Sequence, residues 1–271
     1  MRGGKQNRHR TSLSSHLSSY RNQTAKVPPH RFCVPPLIRP ACGGPPSPRG
    51  RHFLNSKENN LESLIFDIDG TLWDSRALVA DGYNIQLRRE GMTDRFVTAE
   101  TLRPLFGKVM TEIADALFGD LAPADRYSLM ERCMATENQF LHENECSIGY
   151  PKVKETLLAL SKTHRLFIVS NSQQGYPELC IGKLGLDGLI TGHLCFGDTG
   201  TDKGTTIRTL LEKYGITSAA YVGDTQGDME AAYAAGLPFV WADYGFGTPE
   251  KYDLRISAFE NLLTLEQEGN L

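Results

Sequence analysis

Short apolar strands alternate with amphipathic helices over the C-terminal half of this chain. The strand pattern is clearest at 165–169, 219–222 and 238–241, the last of which is expected to be the final strand. A shorter strand is predicted at 193–196, and segments with helical periodicity lie between these runs. Alternation of this kind predicts an α/β fold, in which a Rossmann-like parallel sheet is flanked by helices on both faces. Because ligands of such sheets bind beyond the carboxyl ends of the strands, the residues that follow each strand are the first candidates for a functional site.

An earlier strand ends in two carboxylates. Residues 64–66 are apolar or β-prone, and Asp67, Asp69, Gly70 and Thr71 follow them. In an extended chain, residues i and i+2 point to the same side, so the two aspartates emerge side by side. Neighbouring carboxylates repel each other unless one is protonated or a cation lies between them, and a hard divalent cation such as Mg²⁺ suits oxygen ligands. A surface turn is the alternative when this segment is considered alone.

The stretch between this first strand and the later ones has helical character throughout. Its periodicity predicts four helices, at 76–90, 98–106, 109–118 and 123–141. We therefore expect an α/β core formed by residues 58–75 and 148–271, and an all-α cap formed by residues 76–147. The linkers between them are expected near 74–78 and 147–150.

Residues 1–57 differ from the rest of the chain in charge. They contain 11 Lys and Arg and no Asp or Glu, whereas residues 58–271 carry 18 basic and 32 acidic residues, a formal charge of −14. A segment of this composition, without periodicity, predicts a disordered basic extension. It could be an organellar transit peptide, an extension without a role, or an arm that contacts nucleic acid. The acidic remainder argues against the last interpretation.

The composition also bears on the cellular compartment. No run of 18 apolar residues is present, so we expect no transmembrane helix and no membrane partner. The six cysteines lack CxxC spacing, which favours reduced thiols over zinc ligands or disulfides. These features predict a cytoplasmic protein, or an organellar one if residues 1–57 are a transit peptide.

Polar side chains that suit phosphoryl transfer follow the strand ends or open the next helix. They are Asp67, Asp69, Ser170, Asn171, Lys203, Asp224 and Asp228. Phosphoryl transfer depends largely on positioning and on neutralising dispersed negative charge, which a lysine, a hydroxyl and a carboxylate-bound cation provide.

With these residues in this order, the chain resembles the haloacid dehalogenase-like hydrolases, in particular the phosphoglycolate-phosphatase-like branch with a helical cap. The family's Asp-x-Asp-Gly-Thr motif matches residues 67–71, and its Ser or Thr after an apolar strand matches Ser170. Its lysine matches Lys203, and its Gly-Asp-x-x-x-Asp motif matches residues 223–228. The resemblance covers about residues 62–265, and the helical segment lies between the first and second motifs, as in the family's first cap class.

The resemblance implies a role for each matched residue. Asp67 would be the nucleophile and form an aspartyl-phosphate, and Asp69 would protonate the leaving oxygen and then activate water. Mg²⁺ would be bound by Asp67, the backbone carbonyl of Asp69 and Asp224. Asp228 would hold a metal-bound water or orient Lys203.

The remaining candidates would contact the substrate. Ser170 and Lys203 would bind the phosphoryl oxygens, and Thr71 and Asn171 would support them. Lys108, in the predicted cap, is the candidate for binding an anionic group of the substrate.

Structural alternatives remain for some of these residues. Asp228 could cap the helix that it begins, and Ser170 could be a turn hydroxyl. Trp73 is expected to act as a hinge or packing residue rather than contact substrate, and Gln173, Gln174 and Tyr176 are expected to line the mouth of the site.

The predicted function is that of a Mg²⁺-dependent phosphatase that hydrolyses a small phosphate monoester. Phosphoglycolate is the default substrate by resemblance, and a carboxylate at Asp69 disfavours the dehalogenase and phosphonatase branches. A β-phosphoglucomutase-type mutase, a pyrophosphatase or nucleotidase, and a catalytically idle binding module are the alternatives. The expected partner is a small phosphorylated metabolite, with no nucleic acid, and the chain is expected to be a monomer or a homodimer.

Overall fold

The computed structural model describes residues 61–271. The predicted basic extension, residues 1–57, lies outside the described residues. Within residues 61–271, six parallel strands form one sheet: β1 (Ser63–Phe66), β2 (Arg165–Ser170), β3 (Ile190–Cys195), β4 (Ala219–Gly223), β5 (Phe239–Ala242) and β6 (Leu254–Ile256). The strand order is β3-β2-β1-β4-β5-β6. This arrangement confirms the predicted α/β fold with a parallel sheet.

The first strand along the chain is a central strand of the sheet. β1 pairs with β2 on one side and with β4 on the other, and all four of its residues are buried. Its apolar sequence is what a strand covered on both faces requires. The three neighbouring strands end next to one another, so residues that follow β1, β2 and β4 meet at one edge of the sheet.

Four helices are inserted between β1 and β2. They are α1 (Arg76–Arg89), α2 (Ala99–Leu102), α3 (Met110–Phe118) and α4 (Pro123–Glu143). α1 and α4 pack against each other along their buried faces. A Cβ placed on Gly82 of α1 would lie 2.9 Å from the Cα of Glu137 on α4, so glycine is what lets the two backbones approach here.

The other six helices follow β2, β3, β4 and β6 or precede β2. They are α5 (Val153–Leu160), α6 (Tyr176–Leu184), α7 (Phe196–Thr199), α8 (Lys203–Tyr214), α9 (Gln226–Ala234) and α10 (Asn261–Gln267). Two apolar clusters lie against the sheet, one containing Leu64 and Phe66 and the other containing Ile65. Because side chains alternate along a strand, these clusters lie on opposite faces, which confirms the expected helical layers.

The two segments that connect the insert to the sheet lie side by side. The backbone N–H of Asp74 donates to the carbonyl of Ile148 at 2.8 Å, and that of Tyr150 donates to the carbonyl of Leu72 at 3.0 Å. The two connecting segments are therefore hydrogen-bonded to each other where the insert begins and ends.

Three predicted elements differ from the structure. The helix expected at 98–106 ends at Leu102, because the chain turns toward Gly107, which has φ +87°. The strand expected at 193–196 starts earlier, at Ile190, and Phe196 already belongs to α7. The strand at 238–241 is not the last one, since β6 and α10 follow it. With three residues, β6 is too short to give a periodic signal.

The described residues bear on two further sequence predictions. None of the helices in residues 61–271 combines the length and the apolar character that crossing a bilayer requires. The four cysteines in this range are free, and three of them, Cys133, Cys180 and Cys195, are buried. Buried free cysteines pack as small apolar side chains.

Candidate active site

A buried ion-pair cluster lies at the carboxyl end of β1. Asp67 follows this strand, and its Oδ1 is 2.8 Å from the Nζ of Lys203, the first residue of α8. The same ammonium is 2.6 Å from Oδ1 of Asp228. The side chains of Asp67 and Lys203 are only 3% and 4% exposed. The fold thus brings together three residues that are separated by up to 161 positions in sequence.

The lysine does not neutralise all of the acids around it. Burial raises the pKa of Asp67 to about 7, and the charge of Asp228 adds to this effect although Lys203 opposes it. Burial also raises the pKa of Asp224 well above its ordinary value, together with the charges of Asp228 and Asp67. For Asp228, burial acts in the same direction, but the ammonium of Lys203 and the hydrogen bonds from Thr225 together outweigh it, and the pKa lies below its usual range. Asp67 and Asp224 are therefore the acids that tend to keep a proton unless a further positive charge is supplied.

The carboxylates at this position fit a divalent cation. One oxygen each from Asp67, Asp224 and Asp228 lies within 4.8 Å of the others. Oδ1 of Asp224 is buried and has no hydrogen-bond partner among the described residues, while its Oδ2 accepts from the backbone N–H of Phe246 at 2.7 Å. Anionic oxygens that converge without enough positive charge are the ligand set of hard divalent cations.

Asp228 also organises the turn after β4. Its Oδ2 accepts from the backbone N–H of Asp224 at 3.2 Å and from the backbone N–H and hydroxyl of Thr225 at 2.9 and 2.6 Å. Thr225, rather than Asp228, is the N-cap of α9, and the two side chains form a capping box. The expectation that Asp228 begins this helix is therefore wrong by two residues. Both of its oxygens are hydrogen-bonded, one of them to Lys203, so it positions the lysine.

Asp69 has a separate set of partners. Its Oδ1 accepts from the indole Nε1 of Trp73 at 2.8 Å and from the hydroxyl of Ser75 at 2.6 Å, and the hydroxyl of Tyr176 lies 3.0 Å away. Burial raises the pKa of Asp69 to about 6, although these three donors lower it. A carboxyl group whose pKa lies near neutrality can both donate and accept a proton at neutral pH. Trp73 is buried as expected of a packing residue, and it also orients this carboxylate.

Ser170, Asn171 and Thr71 lie near the same edge of the sheet in different roles. The hydroxyl of Ser170 is buried at the end of β2 and accepts from the backbone N–H of Ser172 at 3.3 Å. The amide of Asn171 donates to the carbonyl of Gly107 at 2.7 Å, so this side chain joins the sheet to the helical insert. The hydroxyl of Thr71 is buried without a partner among the described residues.

A small cavity lies between this edge of the sheet and the insert. Its volume is about 40 Å³, and Asp67, Asp69 and Ser170 line it from the sheet. At roughly 10–15 Å³ for each water it has room for about three water-sized groups. Apolar side chains line the opposite wall, namely Val79, Leu102, Phe106, Met110 and Ile113. Of the three residues predicted to line the mouth, Gln173 and Tyr176 line the cavity, and Gln174 is not among its lining residues.

A larger and more open cleft of about 480 Å³ lies beside the small cavity. Arg103, Thr225 and Phe246 contribute to its walls, and Lys108 lines both spaces. Lys108 is half exposed, and its Nζ is 3.9 Å from a carboxylate oxygen of Glu112. The side chain predicted to meet an anionic group thus stands at the junction of the two spaces.

Glu137 lines the small cavity and was not identified from the sequence. It lies on α4, is 4% exposed, and its Oε2 has no hydrogen-bond partner among the described residues. Its signal is its place on the helix, because Cys133 and Leu141, four residues before and after it, are completely buried. A glutamate in the apolar stripe of an amphipathic helix is a departure from the pattern that could have been noticed.

Comparison with known proteins extends these observations. A family model described as haloacid dehalogenase-like hydrolase matches residues 64–242. The phosphoglycolate phosphatase of Agrobacterium fabrum is 32% identical over 192 residues, which cover 67% of this chain and 80% of the relative. The enzyme of the same name from Xanthomonas campestris is 29% identical over 195 residues, which cover 68% of this chain and 84% of the relative.

A solved structure gives the same comparison at the level of the fold. The crystal structure of a predicted phosphoglycolate phosphatase from Haemophilus somnus superimposes with a TM-score of 0.66 at 23% identity. The superposition covers 76% of this chain and 98% of that protein. At this level of sequence identity, the superposition shows that the two proteins share the arrangement of strands and helices.

Proposed function

This chain belongs to the haloacid dehalogenase-like hydrolases and is a phosphatase, and on that premise we propose that it hydrolyses a small phosphate monoester with Mg²⁺ through an aspartyl-phosphate. The observation that carries the proposal is the buried cluster at the end of β1. There the carboxylate of Asp67 lies 2.8 Å from the ammonium of Lys203, and Asp224 lies close by with an unpartnered oxygen.

In the first step, Asp67 attacks phosphorus and the bond between phosphorus and the ester oxygen breaks. Asp69 gives its proton to the departing oxygen, which leaves as an alcohol. Lys203 and the hydroxyl of Ser170 donate to the phosphoryl oxygens, whose negative charge is dispersed. Asp67, Asp224 and the carbonyl of Asp69 would hold Mg²⁺, which supplies the charge neutralisation that lets an anionic carboxylate approach an anionic phosphoryl group.

In the second step, the aspartyl-phosphate is hydrolysed. Asp69, now ionised, accepts a proton from water, the water oxygen attacks phosphorus, and phosphate leaves while the carboxylate of Asp67 is regenerated. A single group serves as acid and then as base when its pKa lies near the working pH. Burial, which raises the pKa of Asp69 to about 6, supports this role.

We assign residues 58–75 and 148–271 to the catalytic core and residues 76–147 to a helical cap. The cap supplies the apolar wall of the small cavity, including Leu102 and Phe106. A wall of this kind keeps bulk water away from the reacting phosphorus, which strengthens the electrostatic interactions in the site.

The substrate is a short phosphate ester. The relatives named above are phosphoglycolate phosphatases, and the small cavity supports a compact leaving group. Lys108, at the junction of the cavity and the open cleft, is the side chain available to an anionic group that extends outward.

The proposal is tested by measuring phosphate release from a panel of phosphate esters and pyrophosphate by the full chain. We expect release that requires Mg²⁺, stops with EDTA, and is lost in Asp67→Asn. This substitution keeps the shape of the side chain and removes the nucleophile. Release that persists in Asp67→Asn would contradict the assigned mechanism, and folded protein that hydrolyses no ester would contradict the phosphatase assignment.

A further inference from the structure

The cap places a carboxyl group against the cavity in which the leaving group must lie. Glu137 is on the buried face of α4 and lines the same cavity as Asp67 and Ser170. Its backbone cannot easily move away, because α1 approaches so closely at Gly82 that a Cβ there would be 2.9 Å from the Cα of Glu137. The position of this side chain is therefore fixed by helix packing.

This carboxyl group is only partly satisfied. Its Oε2 has no hydrogen-bond partner in residues 61–271, and the nearby amide of Gln173 donates to Asn138 instead. No lysine or arginine in that range pairs with it, although most buried carboxylates are paired. Burial and the charge of Asp69 raise the pKa of Glu137 to about 8, although the side chains of Tyr83 and Gln173 lower it. The carboxyl group is therefore protonated in the empty cavity at neutral pH and ionised above about pH 8. In its ionised form the open oxygen is an acceptor, and its complement is a donor on the ligand.

A purely structural role does not explain the residue. Its neighbours along the helix face, Cys133 and Leu141, are completely buried and apolar. A leucine or methionine at position 137 would continue that stripe without the cost of desolvating a carboxyl group. What glutamate adds at this place is a carboxyl group that lines the cavity and has one oxygen without a partner in the described residues.

We propose that Glu137 determines substrate specificity by accepting a hydrogen bond from a hydroxyl or ammonium group on the leaving alcohol. The substrate class is then a phosphate ester of a short polyol or amino alcohol. Once Glu137 is ionised, a leaving group that ends in a carboxylate is disfavoured, because it would face a second anionic group without a cation between them. This inference rests on the proposed phosphatase function and specifies its substrate.

A matched set of two-carbon esters, assayed at pH 9 where Glu137 is ionised, isolates the interaction. Ethyl phosphate, 2-hydroxyethyl phosphate, 2-aminoethyl phosphate and 2-phosphoglycolate share the ester oxygen and differ only in the group at the second carbon. We expect kcat/KM for the hydroxyl or amino ester to exceed that for ethyl phosphate by at least about tenfold, since a site built to bind a donor discriminates against its absence. Whichever of the two is preferred identifies the donor as neutral or cationic.

The variant Glu137→Gln tests whether this residue is responsible. We expect the ratio of kcat/KM between the preferred ester and ethyl phosphate to fall about tenfold, because an amide is a weaker acceptor and carries no charge. A ratio is insensitive to any fraction of misfolded protein. Glu131→Gln is the control, since Glu131 lies on the same helix but is exposed, and it should leave the ratio unchanged. An unchanged ratio in Glu137→Gln, or 2-phosphoglycolate as the best of the four esters, would overturn the proposal.

A binding measurement distinguishes failure of this inference from failure of the phosphatase assignment. In an Asp67→Asn background, calorimetric titration with the four esters measures affinity without turnover. Tighter binding of the hydroxyl or amino ester than of ethyl phosphate, lost when Glu137→Gln is added, supports the role of Glu137 even if no turnover is detected. Equal affinities for the four esters would overturn it even if the wild-type protein hydrolyses all of them.

Discussion

At the scale of single residues, Asp69 shows how the surroundings decide the use of a carboxylate. Asp67 and Asp69 leave the same strand, yet one faces an ammonium and the other faces only neutral donors. The three donors converge on Oδ1 of Asp69, and its second oxygen has no hydrogen bond within the described residues. The held oxygen fixes the orientation, and the free one can exchange a proton with the substrate.

Removing one of these donors should move the pH profile of the reaction. The hydroxyl of Tyr176 lowers the pKa of Asp69, so Tyr176→Phe raises it. If the rate-limiting step needs protonated Asp69, the alkaline limb of the kcat profile moves to higher pH. If it needs ionised Asp69, the acidic limb moves to higher pH. A hydrogen bond worth about 0.5–1.5 kcal/mol corresponds to a shift of roughly 0.4–1 pH unit.

The measurement is kcat as a function of pH with one ester and saturating Mg²⁺. Tyr127→Phe is the control, because Tyr127 lies on the outer part of α4 and is 37% exposed. It should leave the profile in place. A profile of Tyr176→Phe that coincides with that of the wild type, or that moves to lower pH, would be evidence against the assignment of Asp69 as the titrating group.

At the scale of secondary-structure elements, the site is built from strand ends and the turns that follow them. The turn after β1 contains Gly70 with φ +86°, a conformation that glycine adopts at little cost. A Cβ at this position would lie 2.2 Å from Oδ2 of Asp224, which follows β4. The two turns can pack together only while position 70 has no side chain.

Gly70→Ala should therefore damage both stability and activity. Gly91→Ala is a matched control, because Gly91 also has positive φ, +74°, but a Cβ there meets nothing within 4 Å. Both substitutions incur the backbone cost of about 1 kcal/mol, and only Gly70→Ala adds the collision with Asp224. We expect Gly70→Ala to lower the free energy of unfolding further than Gly91→Ala in urea denaturation, and to lose phosphatase activity that Gly91→Ala keeps. Equal losses of stability in the two variants would show that the turn can shift to relieve the contact.

At the scale of the whole molecule, the carboxylate cluster links cation binding to stability and pH. Asp67 and Asp224 have raised pKa values in the metal-free protein, so they bind protons that a cation must displace. A group whose pKa is higher in the folded than in the unfolded protein destabilises the folded state as pH rises from the lower to the higher of these two pKa values. A cation that binds only the folded protein restores this lost stability, and its stabilising effect is larger at higher pH.

Thermal unfolding checks this expectation. Millimolar Mg²⁺ should raise Tm, and the rise should be larger at pH 8 than at pH 6. Asp224→Asn should abolish most of the increase, since it removes the carboxylate whose Oδ1 has no other partner in the described structure. A Tm that does not respond to Mg²⁺ at either pH would remove the basis for a cation at this position.

The sequence predicts those parts of the site that follow from topology. Asp67, Ser170 and Asp224 each come directly after a recognisable strand, and parallel strands end at a common edge. The partners of Asp69 are not predictable in this way. Tyr176 lies 107 positions away and reaches Asp69 only because α6 packs beside the turn after β1.

The positions of insert residues relative to the site are also not predictable from the sequence. The helical pattern of 76–141 predicts the number of helices, but not what the apolar face of α4 packs against. The apolar stripe of α4 sets Glu137 apart from surface acids, yet only the packing of the insert shows that this residue lines the cavity. The same limit applies to Asn171, whose partner Gly107 belongs to a loop of the insert.

The hydrogen bond between Asn171 and Gly107 has a consequence for the reaction cycle. It joins core and insert at a point where residues line both the small cavity and the open cleft. A cavity with room for about three waters does not admit a two-carbon phosphate ester, so we expect its walls to move apart before a substrate enters and again before an alcohol leaves. The hydrogen bond between Asn171 and Gly107 joins the two walls, so we expect it to break in that movement. The frequency of the movement would then set an upper limit on the turnover rate, whichever ester is preferred.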